Sequence, residues 1–193
     1  MKKSNTIQSL SSLLLVTGIA AGMSACSMLD SESTSVESPA VVSSKADGDI
    51  AVPANYQNWP KFVPTVDKPD QIREIYINNT GLSATAGAAF PSGTVTVMEL
   101  YAPKKDGNGN PIKDSKDRLV KDKLEKIFVM AKQDGWGQQL ASDVIPNGDW
   151  LYGAYLADGT TAATQDFTAC RSCHAPLTDK DFIHRYDEHF SHK

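Results

Sequence analysis

The chain has 193 residues, 40% of them hydrophobic and 22% charged, with 19 Lys and Arg set against 23 Asp and Glu. That composition excludes a collagen, a coiled-coil rod, a polytopic membrane protein and a wholly disordered chain. The formal charge of −4 comes without a basic stripe, so nucleic acid is not an expected partner.

At the start, Lys2 and Lys3 precede an apolar run from Leu10 to Ala21, too short to span a bilayer as a mature helix. The run ends Met23-Ser24-Ala25-Cys26 and resembles a bacterial lipoprotein signal. The resemblance implies that residues 1–25 are removed and that Cys26 becomes an acylated N-terminus, a lipid anchor on the periplasmic face of a bacterial membrane. Ser27 after the cysteine implies the outer membrane. An ordinary signal peptide cut before a free Cys26 is the alternative, and both readings export the chain. Residues 26–50 read as the acylated cysteine and a flexible Ser-rich tether, with too few large apolar side chains to offset chain entropy by burial.

Residues 51–193 are enough for one modest core. Ile72–Asn78 reads as a strand or a helix end. Thr94–Tyr101 is the clearest strand, with Thr94, Thr96, Met98 and Leu100 on one face and Val95, Val97, Glu99 and Tyr101 on the other. Further strands are expected at Leu124–Lys132 and Trp150–Leu156. The turn-rich Lys104–Pro111 segment makes Thr94–Tyr101 and Leu124–Lys132 antiparallel neighbours. Asp106, Asn108 and Asn110 in that turn imitate a calcium loop, but Pro111 stands where Gly is needed and Asp117 where Glu is needed. The expected class is α+β: an antiparallel sheet with a few helices gathered towards the ends of the domain, the C-terminal one carrying the motif described next.

Cys170-Arg171-Ser172-Cys173-His174 has the C-x-x-C-H spacing of a c-type haem attachment site. Asp166 is a suitable N-cap and Pro176 a stop, which predicts a helix over Phe167–His174. Positions i, i+3 and i+4 then share a face, so two thioethers and an iron-ligating imidazole can meet one porphyrin. The expected cofactor is a single, covalently attached haem c, held by Cys170 and Cys173, with His174 as the proximal ligand to its iron. A thioredoxin-like pair would sit after a strand near the start of a domain. A zinc site would need further ligands, and only His184, His189 and His192 lie nearby.

Only 19 residues follow His174, and none is methionine, so the downstream sixth ligand of common electron-transfer cytochromes is missing. An open iron face suits small-molecule chemistry. His184, His189 and His192 read as surface or propionate-contacting positions on a terminal helix, and Arg171 and Arg185 as propionate partners or surface residues.

Phe90-Pro91-Ser92-Gly93-Thr94-Val95, Ile127-Phe128-Val129-Met130-Ala131-Lys132, Gly135-Trp136-Gly137 and Cys170-Arg171-Ser172-Cys173-His174-Ala175 occur in an order that resembles the cytochrome P-460 family, which includes the cytochromes c′-beta. The resemblance covers about residues 55 to 190. It implies a β-rich fold, often dimeric, around a five-coordinate haem c acting on nitric oxide or hydroxylamine. True P-460 haems carry a lysine cross-link from the strand after the Phe-Pro-x-Gly turn. That position is Met98 here, and Lys104, Lys105, Lys126 and Lys132 are weaker substitutes. The chain therefore more closely resembles the c′-beta branch, whose apolar distal wall would be Phe62, Phe90 and Met98.

The leading expectation is a lipid-anchored haem protein whose small neutral ligand is NO, with a redox partner protein and a homodimer both compatible. A hydroxylamine-oxidising or peroxidase-like enzyme at the same iron and a six-coordinate electron-transfer cytochrome are the alternatives.

Overall fold

A computed structural model describes residues 45–193. The leader and Cys26 lie outside the described residues, as does the tether up to Ser44. The body is a five-stranded antiparallel sheet in sequential order β1-β2-β3-β4-β5. Its strands are β1 (Val66–Lys68), β2 (Gln71–Ile77), β3 (Val95–Pro103), β4 (Lys121–Lys132) and β5 (Trp150–Leu156). Three short helices accompany it: α1 (Asn79–Leu82), α2 (Phe167–His174) and α3 (Tyr186–Ser191). The α+β expectation holds, although α1 sits in mid-chain between β2 and β3. β4 begins at Lys121 because its exposed first residues pair with the end of β3, as in Pro103 opposite Lys121. Polar, solvated residues carry no alternation for periodicity to detect.

Alternation along the strands gives the sheet two unlike faces. Val97, Ile127, Val129, Ala131, Leu151 and Tyr155 build a closed core with Ile50, Tyr56 and Tyr76. Within this face Glu99 is 3% exposed and accepts three phenolic hydrogen bonds, from Tyr56 (2.7 Å), Tyr76 (3.2 Å) and Tyr101 (2.8 Å). Burial and the adjacent Glu99 push all three phenols up. The buried acceptor is thereby satisfied from two strands and the segment before β1, as a buried polar group must be.

The opposite face is built in cross-strand rows. Ile77, Thr96, Met130 and Tyr152 form one row, and Ile75, Met98, Phe128 and Ala154 the next. Near Trp150 this face is covered by Tyr186 of α3, by Ile183 from the loop before it, and by Phe62 and Phe90 from the segments ahead of β1 and β3. Away from Trp150 it opens: Ile75, Met98, Leu100, Phe128 and Met130 are only partly buried, and Leu156 at the end is 43% exposed.

The domain starts earlier than composition suggests. Asp47 Oδ1 accepts from Tyr152 N at 3.0 Å, Gly48 N donates to Tyr152 O at 2.8 Å, and Ile50 is 6% exposed. This segment covers the free edge of β5, a usual requirement for an edge strand. Gly153 makes room for it, since a Cβ there would fall 2.5 Å from Ile50 O. Residues 46–50 therefore belong to the folded body and not to the tether.

Candidate haem site

Helix α2 forms as its sequence predicts. The Asp166 side chain caps it by accepting from Thr168 N at 2.9 Å, in the usual manner of an N-terminal Asp. Cys170, Cys173 and His174 share one face by their spacing. Both thiols are free, Cys170 partly buried and Cys173 exposed. Burial and then Asp47 push the Cys170 thiol up. A reactive redox cysteine has its pKa lowered instead.

Arg171 stands one position off that face and points inward. It is 1% exposed and grips Asp47 with two bonds, Nε at 2.6 Å and Nη2 at 2.9 Å. Its other donors reach Ile145 O at 3.0 Å and Trp150 O at 3.3 Å. The propionate role expected for Arg171 is thereby corrected: the guanidinium is spent on anchoring the motif helix to β5 and the N-terminal segment. Arg185, immediately before α3, pairs with Glu188 on that helix.

His174 is held so that one ring nitrogen could serve as a ligand. Its Nδ1 lies 2.7 Å from Phe182 O, so Nδ1 carries the proton and donates, and Nε2 keeps the free lone pair. An outer-shell carbonyl that fixes the tautomer is the usual support of a metal-bound histidine. Burial pushes this imidazole below its ordinary pKa, which keeps it neutral and able to ligate. Its ring meets Tyr152 edge-on, with centroids 5.4 Å apart, and that contact places the motif over the half-open face of the sheet. The Tyr152 hydroxyl is buried and has no hydrogen-bond partner among the described residues. It lies within electrostatic range of both cysteine sulfurs.

The Phe182 carbonyl is delivered by an unusual turn. Asp181 and Phe182 both have positive φ, 50° and 60°, a conformation that costs a non-glycine residue about 1–3 kcal/mol. Asp181 is pinned by Lys132, whose Nζ lies 2.9 Å from Oδ2 and 3.0 Å from Oδ1.

The other expected site residues fall in two places. Met98 lies in the partly exposed row, opposite Phe128. Phe62 and Phe90 are on the same side of the sheet but in its covered part, 4% and 2% exposed, with ring centroids 6.2 Å apart. His189 stacks on Phe62 at 4.4 Å and its Nδ1 sits 2.7 Å from Phe62 O. At 2% exposure it is a core residue, not the surface position the sequence suggests. Tyr186, His189 and Phe190 follow i, i+3, i+4 and turn one face of α3 inward. His184 and His192 are exposed, and His184 Nε2 lies 3.3 Å from Cys173 Sγ.

Among the lysines, Lys132 is committed to Asp181 and to Phe90 O at 2.9 Å, while Lys104 and Lys105 sit exposed at the β3–β4 hairpin. Lys126 lies on the open face, opposite Leu100. Sequence reasoning missed Tyr152, Phe128 and Met130. Their shared place in the alternation of β4 and β5 was the available signal.

The residues present fit a haem. Two thiols and an imidazole with a free Nε2 share one face of α2, beside an apolar platform that is only partly buried among the described residues. No curated protein matches the chain. A family model, Cytochrome P460, matches residues 53–185, which takes in all five strands and the whole of α2. The chain belongs to the cytochrome P460 family and is a haem protein of the cytochrome c type.

Proposed function

We propose that this protein binds small neutral nitrogen oxides, chiefly NO, at a five-coordinate haem c. Cys170 and Cys173 are the covalent anchors and His174 is the proximal ligand. The haem supplies an iron centre that a diatomic gas can ligate. The chain supplies the rest: Phe182 O holds the imidazole proton on Nδ1, Arg171 fixes the helix that carries the thiols, and the sheet gives an apolar wall. The observation that carries the reading is this wall. Ile75, Met98, Phe128 and Met130 offer no hydrogen bond to a charged ligand, and desolvating an anion against them is unfavourable. Neutral NO meets no such penalty. Phe62 and Phe90 close the covered end of the same face.

Hydroxylamine oxidation is less well supported because Met98 replaces the lysine that the family resemblance makes the cross-link donor. Lys126 is the lysine of the open face, and the mass of the haem peptide tests it. Met98 and Met130 favour one further reading, since a thioether from this face as sixth ligand would make an electron-transfer cytochrome. The signal segment and Cys26 support a lipid-anchored form on the periplasmic face of a bacterial membrane, probing its surroundings from the end of a short tether. A redox partner and a homodimer belong to the same reading.

Optical spectra of purified holoprotein test this. A high-spin ferrous spectrum that shifts on adding NO or CO is expected. A low-spin ferrous spectrum indifferent to CO would replace it with the electron-transfer reading. A far-red-shifted ferrous Soret band would indicate a cross-linked, hydroxylamine-type haem.

A further inference from the structure

We propose that Lys132 and Asp181 form a positioning pair for the proximal histidine, holding a strained turn whose Phe182 carbonyl sets the orientation and basicity of His174. The proposal rests on His174 being the iron ligand, and does not depend on which molecule occupies the other side of the iron.

Lys132 ends β4, and Asp181 lies eight residues after Cys173 in sequence, outside the haem motif. Their side chains are each 10% exposed, so the pair is largely shielded from water. Lys132 Nζ has three acceptors: both oxygens of Asp181 and Phe90 O. Asp181 Oδ2 also accepts from Phe90 N at 2.8 Å. One carboxyl thus ties together the end of β4, the Phe-Pro-x-Gly turn and the segment after α2.

A surface loop does not need so many restraints, but this one does. Asp181 and Phe182 are consecutive non-glycine residues in the left-handed region, and such backbone persists only where its surroundings over-determine it. Three contacts do so here. Lys132 holds Asp181 from one side. Phe182 N donates to Leu177 O at 2.7 Å and closes the turn. The Phe182 ring packs on Gly148, where a Cβ would lie 3.0 Å from ring Cε2. The product of the strain is one backbone oxygen placed 2.7 Å from His174 Nδ1. A carbonyl there raises ligand basicity and locks the ring. Lys132 therefore acts on the iron through Asp181, Phe182 and His174 in series. It is a positioning residue, and its amine is engaged there.

The test compares full-length holoprotein with the Lys132→Met, Lys132→Arg and Asp181→Asn variants. Resonance Raman of the ferrous form reads the iron–histidine stretch, and NMR reads solvent exchange of the His174 Nδ1 proton. Lys132→Met and Asp181→Asn are expected to lower the stretching frequency. They should also speed exchange by about tenfold or more, the scale on which loss of an outer-shell partner acts on metal sites. Lys132→Arg, which keeps the charge, should stay close to wild type. Covalently loaded Lys132→Met or Asp181→Asn protein with unchanged frequency and exchange would overturn the proposal. Should the variants not fold, the wild type still decides, because rapid exchange of its Nδ1 proton would mean that the carbonyl does not hold it. The exchange measurement also works on a six-coordinate iron that ignores NO, so failure of the gas-binding reading and failure of this one are separately visible.

Discussion

The two faces of the sheet differ in what completes them. On the closed face the polypeptide finishes its own work: Val97, Val129 and Leu151 are at most 1% exposed, and the buried Glu99 finds three phenolic donors. On the open face the rows through Met98 and Phe128 stay partly exposed, and the buried Tyr152 hydroxyl has no partner among the described residues. A monomeric domain seldom leaves a contiguous apolar patch uncovered without a use for it. Here that half-open face meets, at Tyr152, the helix that presents Cys170, Cys173 and His174. One face holds the fold, and the other is shaped for a cofactor.

The sharpest way to break that division is to cut the link between α2 and the body. Arg171→Met leaves the part-buried Asp47 without its cation, and breaking one side of a largely buried pair is expected to destabilise by about 3–5 kcal/mol. Denaturant unfolding reads it, and a loss below about 1 kcal/mol would show that the pair does not hold the helix. Next comes the closed face. Glu99→Leu leaves the Tyr56, Tyr76 and Tyr101 hydroxyls without their acceptor, for an expected loss of about 1–3 kcal/mol. The optical spectrum should not move, because the change lies on the far side of the sheet. On the open face the pattern should reverse. Met98→Lys alters a partly exposed position and should change stability by no more than about 0.5 kcal/mol. It restores the amine that the family resemblance calls for, so a red-shifted ferrous band and a haem peptide cross-linked at Met98→Lys are expected by mass spectrometry. A spectrum identical to wild type would place the haem away from this row.

Titration gives the smallest effects. Burial holds the His189 imidazole below its ordinary value of 6.5, so the unfolded chain takes up this proton first as pH falls. Stability from His189 is fully present above about pH 6.5 and declines below it; His189→Gln should flatten the stability curve there. For Glu74, burial opposes ionisation, but Lys121 and Lys61 prevail and hold the carboxyl at about 2. Its contribution is present above the ordinary 4.5 and is lost as pH falls from there towards 2. Unfolding measured across both windows, with Lys61→Ala and Lys121→Ala raising the lower one, checks both signs.

Local signals in the sequence survive into the fold wherever the physics is local. The alternation of Thr94–Tyr101 places Met98 and Glu99 on opposite faces as read, and the Asp166 cap and C-x-x-C-H spacing give α2 with its bounds. What stayed hidden depends on distant partners. Arg171 turns inward because Asp47, 124 residues away, waits for it, and no periodicity connects the two. The same bond draws residues 46–50 into the domain despite their tether-like composition. His189 looks polar in sequence, yet the i, i+3, i+4 stripe with Tyr186 and Phe190 and the open carbonyl of Phe62 bury it. The Asp181–Phe182 turn carries no glycine to advertise positive φ, and it is held by partners beyond the motif, Lys132 and Gly148 among them.

The most direct test of the central claim is the mass of the protein purified from a host that matures c-type cytochromes. The account predicts the mature chain plus one haem, with neither Cys170 nor Cys173 open to alkylation, and loss of that haem in the Cys170→Ser, Cys173→Ser double variant. A colourless protein of unmodified mass with both thiols reactive would contradict it.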